Sequence, residues 1–396
     1  MSSESDSGKV DAADYRTRVI DDLRVLKATD WDRLHQAGAP GVRTPFMDYR
    51  FLRALADSRS VGADTGWTPR FLLLERAGET VAAAPLFEKD HSYGEYVFDW
   101  AWADAYHRHG LAYYPKGLVA VPFTPVPGPR LLARDAAARS ALAHALVATA
   151  RRRDWSSLHV LFPDDADSVA LAGESLLERS GVQFHWRNPG YRDFEDFLAH
   201  LAQPKRKKIR AERRKVRDAG IQVEAIDGAD ISESRWDFFY RCYRTTYALH
   251  HSTPYLTRAF FSLVGTAMPE HLVMFIAARE GKPVAASLLF HDAEAVYGRY
   301  WGAIAHVPCL HFEASYYAPM EWAIERQLAR FEGGAQGEHK MARGFLPVRT
   351  RSFHWLAHPA FYQAVSSYLA REAGGMEEYL DELRDRSPLR DPGHQA

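Results

Sequence analysis

The chain has 396 residues, of which 46% are hydrophobic and 26% charged, a composition typical of globular proteins and not of disordered or fibrous ones. A single hydrophobic core rarely organises a chain of this length, so we expect two domains. The formal net charge of −1 excludes attraction of the whole molecule to nucleic acid, so any anion binding must depend on a local patch. The two cysteines, Cys242 and Cys309, are too few for a disulfide framework or a structural zinc site.

A heptapeptide recurs at half the length of the chain. Residues 81–87, VAAAPLF, return as residues 284–290, VAASLLF, 203 positions later. Each copy follows an apolar strand-like run and a glycine-containing turn, which predicts a β-hairpin in each half. A second echo, residues 93–96 against 297–300, predicts a third strand after each hairpin.

A helix and a strand are predicted after each of these hairpins. Residues 136–153 show helical periodicity and lead into the strand-like residues 157–162, and residues 313–330 and 331–336 repeat that order. Strands followed by a helix and a further strand indicate a mixed sheet with helices on its faces. The sequence therefore predicts a duplicated α/β fold.

This duplication divides the chain into two domains. The turn that begins at Asn188 marks the crossing, which gives domains at residues 17–187 and 188–385. The polar ends, residues 1–16 and 386–396, are predicted to be disordered. No apolar run is long enough to cross a bilayer, and the chain does not open on a leader-like segment. We expect no transmembrane segment and a cytoplasmic location.

The densest positive charge of the chain follows the domain boundary. Residues 204–217, PKRKKIRAERRKVR, begin with a proline suited to a first helical turn and contain two apolar residues seven apart, which predicts a helix with one thin apolar stripe. The cations on its other faces are either solvated or hold phosphate groups of a nucleotide, a lipid-linked diphosphate or a tRNA backbone. On the second interpretation the phosphate-binding residues are Lys205, Arg206, Lys207 and Arg210. No aromatic residue interrupts the run, which disfavours base stacking with single-stranded nucleic acid.

A glycine-rich polar segment follows the last predicted strand of the second half. Residues 331–347 contain four glycines and crowd together six polar or charged side chains: Glu332, Gln336, Glu338, His339, Lys340 and Arg343. Polar groups concentrated at a strand end are typical of an active-site wall, although a glycine-rich turn with ordinary surface charges shows the same pattern. The spacing matches neither a phosphate-binding loop nor a dinucleotide fingerprint.

Transfer of an acyl group to an amine needs a base for the ammonium proton and donors for the oxyanion. Glu338 or His339 could supply the base. Lys340 and Arg343 could bind a carboxylate or phosphate of the substrate, or could instead hold neighbouring glutamates in place. The histidines elsewhere lack the spacing of a zinc site, so no metal is expected.

These motifs resemble the Fem-type aminoacyl transferases of peptidoglycan synthesis, and most closely the FemAB-like group of predicted N-acyltransferases. The segments that carry the resemblance are residues 186–191, 205–210, 297–302 and 332–347. The resemblance implies tandem GNAT acyltransferase domains. It implies transfer of an acyl or aminoacyl group from an activated donor to an amine of a small molecule or of a lipid-linked cell-wall precursor. It also implies a substrate-binding role for Tyr300.

The resemblance leaves the donor open. Residues 302–312 lack the turn with which GNAT enzymes hold the pyrophosphate of coenzyme A, so acyl-CoA and aminoacyl-tRNA are alternatives, and tRNA is a candidate partner. No long heptad segment of the kind that forms a tRNA-binding arm is present. A non-catalytic GNAT-like protein that binds a phosphorylated or cell-envelope intermediate is the alternative to an enzyme. The near-neutral charge disfavours an RNA-binding module, and no DNA contact is expected.

Replacing Lys205, Arg206 and Lys207 together by Ala is expected to weaken binding of phosphate-bearing ligands, because three of the cations that would face the phosphates are lost. The loss of affinity should be smaller at high salt, since salt then screens these charges in the unmodified protein. Calorimetry with acyl-CoA and with charged tRNA at low and high salt measures the effect, with unchanged thermal unfolding as the control. Equal affinities of the two proteins at low salt would contradict the phosphate-binding interpretation.

Overall fold

The computed structural model describes residues 14–38, 44–335 and 337–390. In chain order the strands of these residues are β1 (Arg16–Ile20), β2 (Trp67–Pro69), β3 (Phe71–Arg76), β4 (Glu79–Ala84), β5 (Leu86–Lys89), β6 (Lys116–Val119), β7 (Leu132–Ala133), β8 (Ser157–Leu161), β9 (Leu177–Arg187), β10 (Ile221–Asp227), β11 (Leu272–Arg279), β12 (Lys282–His291), β13 (Ala295–Ala303), β14 (Arg330–Glu332) and β15 (Leu346–Leu356). The α-helices are α1 (Ala28–Gly38), α2 (Tyr49–Asp57), α3 (Trp100–Arg108), α4 (Ala136–Arg152), α5 (Asp165–Ala172), α6 (Phe194–His200), α7 (Gln203–Asp218), α8 (Glu233–Leu249), α9 (Arg258–Ala267), α10 (Leu310–Phe312), α11 (Ala318–Glu325) and α12 (Pro359–Asp385). None of these helices is both long and apolar enough to cross a bilayer.

The two halves share one strand arrangement. β1 pairs with β3 and β3 with β4, just as β10 pairs with β11 and β11 with β12, all antiparallel. Both hairpins turn on two residues with positive φ, Ala77-Gly78 and Glu280-Gly281, the geometry that matches the twist of the paired strands. Both also carry a β-bulge at equivalent positions, after Leu74 and after Ala277. Similar composition alone does not require a shared bulge, so the predicted duplication is confirmed.

The repeated heptapeptide occupies equivalent positions, but in the first half it is broken. Residues 284–290 lie within β12, whereas in the first half Pro85 separates β4 from β5. Proline has no N–H for the strand ladder, and the chain changes sheets at this point. β5 and β12 then pair with β6 and β13, which in turn pair in parallel with β8 and β14.

The prediction of a third strand at residues 93–96 is wrong for the first half. Tyr297 and Tyr300 lie in β13, as expected, but residues 93–96 form an irregular turn in which Gly94 and Tyr96 have φ of 81° and 62°. The true counterpart of β13 is β6, which follows a long insertion containing α3. The matching spacing of the two Tyr-Gly-x-Tyr segments therefore does not result from the duplication.

The last strand of each half pairs with the other half. β9 pairs with β14, β15 pairs with β8, and β9 and β15 pair with each other along residues 177–185 and 346–354. A single eleven-stranded sheet, in the order β10-β11-β12-β13-β14-β9-β15-β8-β6-β5-β2, thus runs through both halves, and β1-β3-β4-β7 form a second sheet. The boundary predicted after residue 187 follows β9, so it divides the sequence without dividing the sheet.

Aromatic side chains also join the two halves. Phe46 packs 5.1 Å from Phe290 and Phe51 packs 5.6 Å from Phe260, measured between ring centroids. These rings belong to one buried cluster that contains residues of both halves. Burial of so much apolar surface at their junction favours a fixed orientation between them.

The predicted basic helix forms as α7. Ile209 and Val216 are its buried stripe, as expected, and the buried Glu212 lies between them. The chain end lies against the start of this helix: the Ala202 N–H donates to the Pro388 carbonyl, and residues 201 and 389 form a β-bridge. The predicted disordered tail is therefore too wide by residues 386–390. Most of the disordered N-terminus that was predicted lies outside the described residues.

Glu212→Ala is expected to lower the free energy of unfolding by about 3–5 kcal/mol, because Glu212 accepts two hydrogen bonds from the buried Arg343 guanidinium and would leave that charge unpaired. The matched control is Glu195→Ala, which removes the exposed partner of Arg210 on the same helix and should cost under about 1 kcal/mol. Urea unfolding measures both variants. Similar losses in the two would contradict a buried ionic attachment of α7.

Candidate active site

β13 and β14 begin side by side and then separate. They pair in parallel over three residues each, as far as Tyr297 and Glu332, where β14 ends while β13 continues to Ala303. Arg299 is the extra residue of a β-bulge in β13, which bends the strand at the point of separation. The separated strands leave a crevice of about 90 Å³, with Gly333 on its wall.

The corresponding gap in the first half is closed. β6 and β8 also pair over only three residues, but residues 120–131 run on beside the end of β8, and Gly128 forms a parallel bridge to Pro163. The buried Arg130 guanidinium donates to the carbonyl oxygens of Gly128 and Leu161 and fixes this segment. Among the described residues, the open crevice belongs to the second half, where the sequence analysis placed the reacting centre.

The helix that follows β13 is distorted beside the crevice. Between α10 and α11 it is a π-helix over Glu313–Tyr317. Pro319 has no N–H to donate to the carbonyl of Ser315 four residues earlier, so the regular α-helical bond is missing there. π-helical turns are concentrated at functional sites, and this one places Ser315 and Tyr316 on the crevice wall.

Three buried polar atoms of the crevice have no hydrogen-bond partner in the part of the chain that the structure describes. They are Arg299 Nε, the Tyr300 hydroxyl and Ser315 Oγ. A buried polar group without a partner costs about 1–3 kcal/mol, so water or a ligand in the crevice would supply the missing bonds. The substrate-binding role expected for Tyr300 agrees with this position but stays a prediction.

The crevice opens into a larger cavity between the two halves. Gly333 and Tyr316 line both spaces, and the larger one has a volume of about 420 Å³. Its remaining walls come from residues 92–100 of the first half, from Tyr255, and from the predicted polar segment. Residues of both halves therefore meet around a single space.

Lys340 brings a buried cation to this cavity. Its ammonium group donates to the Gly334 carbonyl at 3.1 Å, and the residue is only 3% exposed. Burial, together with the positive charge of Arg299, lowers the pKa of Lys340 to about 8, so most of it is protonated at neutral pH. Gly333 makes room for the lysine, because a Cβ there would lie 3.0 Å from the Phe345 ring and 3.3 Å from Lys340 Cδ.

His339 lies near Tyr316 beside this lysine, although it lines neither the cavity nor the crevice. Its ring is exposed, with its centroid 6.5 Å from that of Tyr316. Partial burial and the neighbouring cations Lys340 and Arg343 lower the pKa of His339 below its ordinary value of 6.5. The imidazole is therefore largely neutral at physiological pH and can accept a proton.

Two residues of the predicted polar wall point elsewhere. The Glu338 carboxylate accepts a hydrogen bond from Tyr379 of α12 and lies 3.7 Å from the Arg386 guanidinium, away from the cavity. Arg343 is buried in its ion pair with Glu212. Both side chains attach the segment to neighbouring helices, so the geometry does not support Glu338 as the base or Arg343 as a substrate ligand.

Glu332 lines a different cavity. One of its oxygens accepts from Arg330 Nε at 3.2 Å, and the other is buried with no hydrogen-bond partner among the described residues. Burial raises the pKa of Glu332 to about 7, although Arg330 partly offsets the effect. Glu332 lines a second space of about 420 Å³, whose wall contains three arginines and two aspartates, and not the cavity that contains Lys340.

Other predicted site residues lie away from the cavity or outside the described residues. Lys205, Arg206 and Lys207 make no ion pair within the described ranges, and neither they nor Arg210 lines the cavity. Their binding of phosphate stays a prediction. Gln336 lies outside the described residues. Where the structure describes the chain, no group of three or more His, Cys, Asp or Glu residues could hold a metal ion.

Sequence reasoning missed the first half's contribution to the cavity. Tyr93, Phe98 and Trp100 line it, as does Tyr316 of the second half. The density of aromatic residues between 93 and 102 is a signal that could have pointed to a binding surface, but the tyrosine spacing was interpreted as a strand. Nothing in the sequence shows that this insertion crosses to the site of the other half.

The family model for the FemAB-like proteins, described as peptidoglycan biosynthesis/recognition, matches residues 22–391, so the chain belongs to this family. The fold is similar to that in the crystal structure of FemX, at 11% identity and a TM-score of 0.53 over 86% of this chain and 98% of that one. A conserved protein of unknown function from Bacteroides thetaiotaomicron is similar at 12% identity and a TM-score of 0.52, over 86% and 99%. The predicted α/β fold of two similar halves, with mixed sheets flanked by helices, is thereby confirmed. No curated protein matches the sequence.

Glu332→Gln is expected to remove a loss of stability that the wild type shows as the pH rises from 4.5 to about 7. Native Glu332 keeps its proton up to about pH 7, whereas in the unfolded chain it ionises near its ordinary pKa of 4.5. Between these values the native state binds more protons, so stability present below pH 4.5 is lost as the pH rises through 7, by about 3 kcal/mol. Urea unfolding at pH 5 and pH 8 compares the two proteins, with the exposed Glu338→Gln as control. Parallel pH dependence of the wild type and the Glu332 variant would contradict the raised pKa.

Proposed function

We propose that this protein is an N-acyltransferase that transfers an acyl or aminoacyl group from an activated donor to an amine in the cavity between its halves. The observation that carries this proposal is the open crevice between β13 and β14, which leads to the buried ammonium group of Lys340. The family description, peptidoglycan biosynthesis/recognition, supports an acceptor amine on a small or lipid-linked cell-wall precursor.

The reaction forms a bond between the acceptor nitrogen and the acyl carbon and breaks the bond from that carbon to the leaving group. Negative charge develops on the carbonyl oxygen in the transition state. A buried cation stabilises such a charge far better than an exposed one, because the surrounding medium has a low dielectric constant and no reorganisation is needed. Lys340 is the described cation that lines the cavity, and we assign it this role.

Two further groups handle protons. His339, neutral at physiological pH, accepts the proton that the acceptor nitrogen loses. Tyr316 lies where crevice and cavity join, and burial raises its pKa to about 12, so its hydroxyl keeps its proton and can donate to the leaving group. Glu338 receives no part in this scheme because its carboxylate is held against α12.

The crevice suits the acyl end of a donor better than its phosphates. Arg299, Tyr300 and Ser315 offer unpaired polar atoms to an acyl or aminoacyl group. Residues 304–309, which join β13 to α10, contain no lysine or arginine to meet a pyrophosphate. The unpaired cations of α7 are the candidates for donor phosphates, which keeps both acyl-CoA and aminoacyl-tRNA as donors to be tested.

Lys340→Met is expected to lower kcat about 100- to 1,000-fold with a much smaller change in KM, because the lysine acts on charge that exists only in the transition state. Calorimetry with acetyl-CoA, longer acyl-CoAs and charged tRNA first identifies the donor. Mass spectrometry of an amine-bearing muropeptide then measures transfer. Lys282→Met, which removes an exposed lysine at the start of β12, is the matched control.

Two results would contradict the proposal, and a third would change its scheme. One is a folded protein that binds none of these donors. Another is a Lys340→Met variant that transfers at the wild-type rate. The third concerns His339→Ala, which should abolish the acid limb of the pH–rate profile below pH 6.5, and an unchanged limb would remove the histidine from the scheme.

A further inference from the structure

The insertion between β5 and β6 has no counterpart in the second half. There β12 and β13 are joined by a short turn, from His291 to Ala295, whereas in the first half the chain runs from Lys89 to Lys116 before the equivalent strand begins. Residues 92–100 of this insertion reach the cavity that holds Lys340. The first half therefore adds a wall to the site of the second.

A buried ionic anchor holds this wall in place. The ammonium group of Lys116, which is 0% exposed, donates to Ser92 Oγ and Glu95 Oε2 at 2.8 Å each and also to Asp99. These three partners are almost fully buried, at 3–5% exposure. Three bonds from one buried ammonium group of β6 hold residues 92–99 in place, because each lost bond would leave a buried charge or hydroxyl without that partner.

Four aromatic residues next to the anchored ones line the cavity. They are Tyr93, Tyr96, Phe98 and Trp100. Tyr93, Phe98 and Trp100 are 57%, 55% and 41% exposed, which is unusual for such large apolar side chains. A rigid exposed patch of this kind marks a binding surface.

The polar groups and charges of this aromatic wall favour some classes of ligand over others. The hydroxyl groups of Tyr93, Tyr96 and Tyr316 make no hydrogen bond to the part of the chain that the structure describes, and none of the described lining residues carries a carboxylate. An acyl chain would leave these hydroxyls unpaired, and a cationic peptide would find no counter-charge. Tyr93 and Trp100 meet edge to face, at 61° and 5.0 Å, so they form a corner and not a parallel slot for a flat base.

We propose that residues 93–100 together with Tyr316 form a saccharide subsite that takes a neutral pyranose ring of the acceptor. A pyranose has an apolar face of C–H groups for the aromatic rings and a rim of hydroxyl groups for the phenols. That this ring belongs to the acceptor rests on the proposed function. Binding of a saccharide to the subsite can be measured without any transfer reaction.

The test is calorimetry of the full-length protein with the neutral trimer of N-acetylglucosamine, supported by tryptophan fluorescence. Trp100→Ala and Phe98→Ala should each raise the Kd about tenfold, in proportion to the aromatic contact that is lost. The matched control is Leu111→Ala, an exposed apolar residue of the same insertion that does not line the cavity. It should leave the Kd unchanged, and thermal unfolding confirms that all three variants fold.

The inference is overturned if the trimer does not bind, or if Trp100→Ala and Phe98→Ala bind it as tightly as the wild type. It is also overturned if octanoate or uridine monophosphate, and not the trimer, loses affinity in these variants. Lys340→Met separates the subsite from catalysis, since it should bind the trimer normally while losing transfer. Normal trimer binding in a protein that transfers nothing would support the subsite and reject the acyltransferase.

Discussion

The pairing of β9 with β15 is the interaction on which the rest of the structure depends. β9, the last strand of the first half, pairs with β14 of the second half, and β15, the last strand of the second half, pairs with β8 of the first half. The pairing of β9 with β15 therefore joins the strands of both halves in one sheet. A continuous ladder of hydrogen bonds resists rotation of one half against the other far more than a surface contact does. The cavity between the halves can therefore have a fixed shape, and an insertion from one half can serve a site in the other.

The two halves differ most around the point where their parallel strands separate. Both separate two parallel strands at the same place, but the first half closes the gap with residues 120–131 and the guanidinium group of Arg130, while the second leaves it open. The first half also carries the insertion that lines the cavity. One copy of the fold thus provides the open crevice and Lys340, and the other provides a closed gap and a wall of the cavity.

Buried charge is used in two different ways. Lys116 and Arg343 are each paired with carboxylates and fix segments of the chain, the aromatic wall in one case and α7 in the other. Lys340 is buried beside the cavity with only a carbonyl partner, and its pKa is lowered accordingly. A cation that the protein leaves without a counter-ion at a cavity is available to a negatively charged oxygen of a substrate, whereas the paired ones are not.

The sequence by itself determined the duplication, the hairpins, the basic helix α7 and the position of the polar segment after β14, because periodicity and turn residues act over a few neighbouring positions. It also named Lys340 among six candidate site residues, since polar residues among glycines at a strand end are a local signal. Only the tertiary structure decided that Glu338 and Arg343 attach the segment to helices, that Glu332 faces another cavity, and that residues 93–100 reach the second half. Each of these depends on which distant helix or strand packs alongside, and no spacing along the chain contains that information.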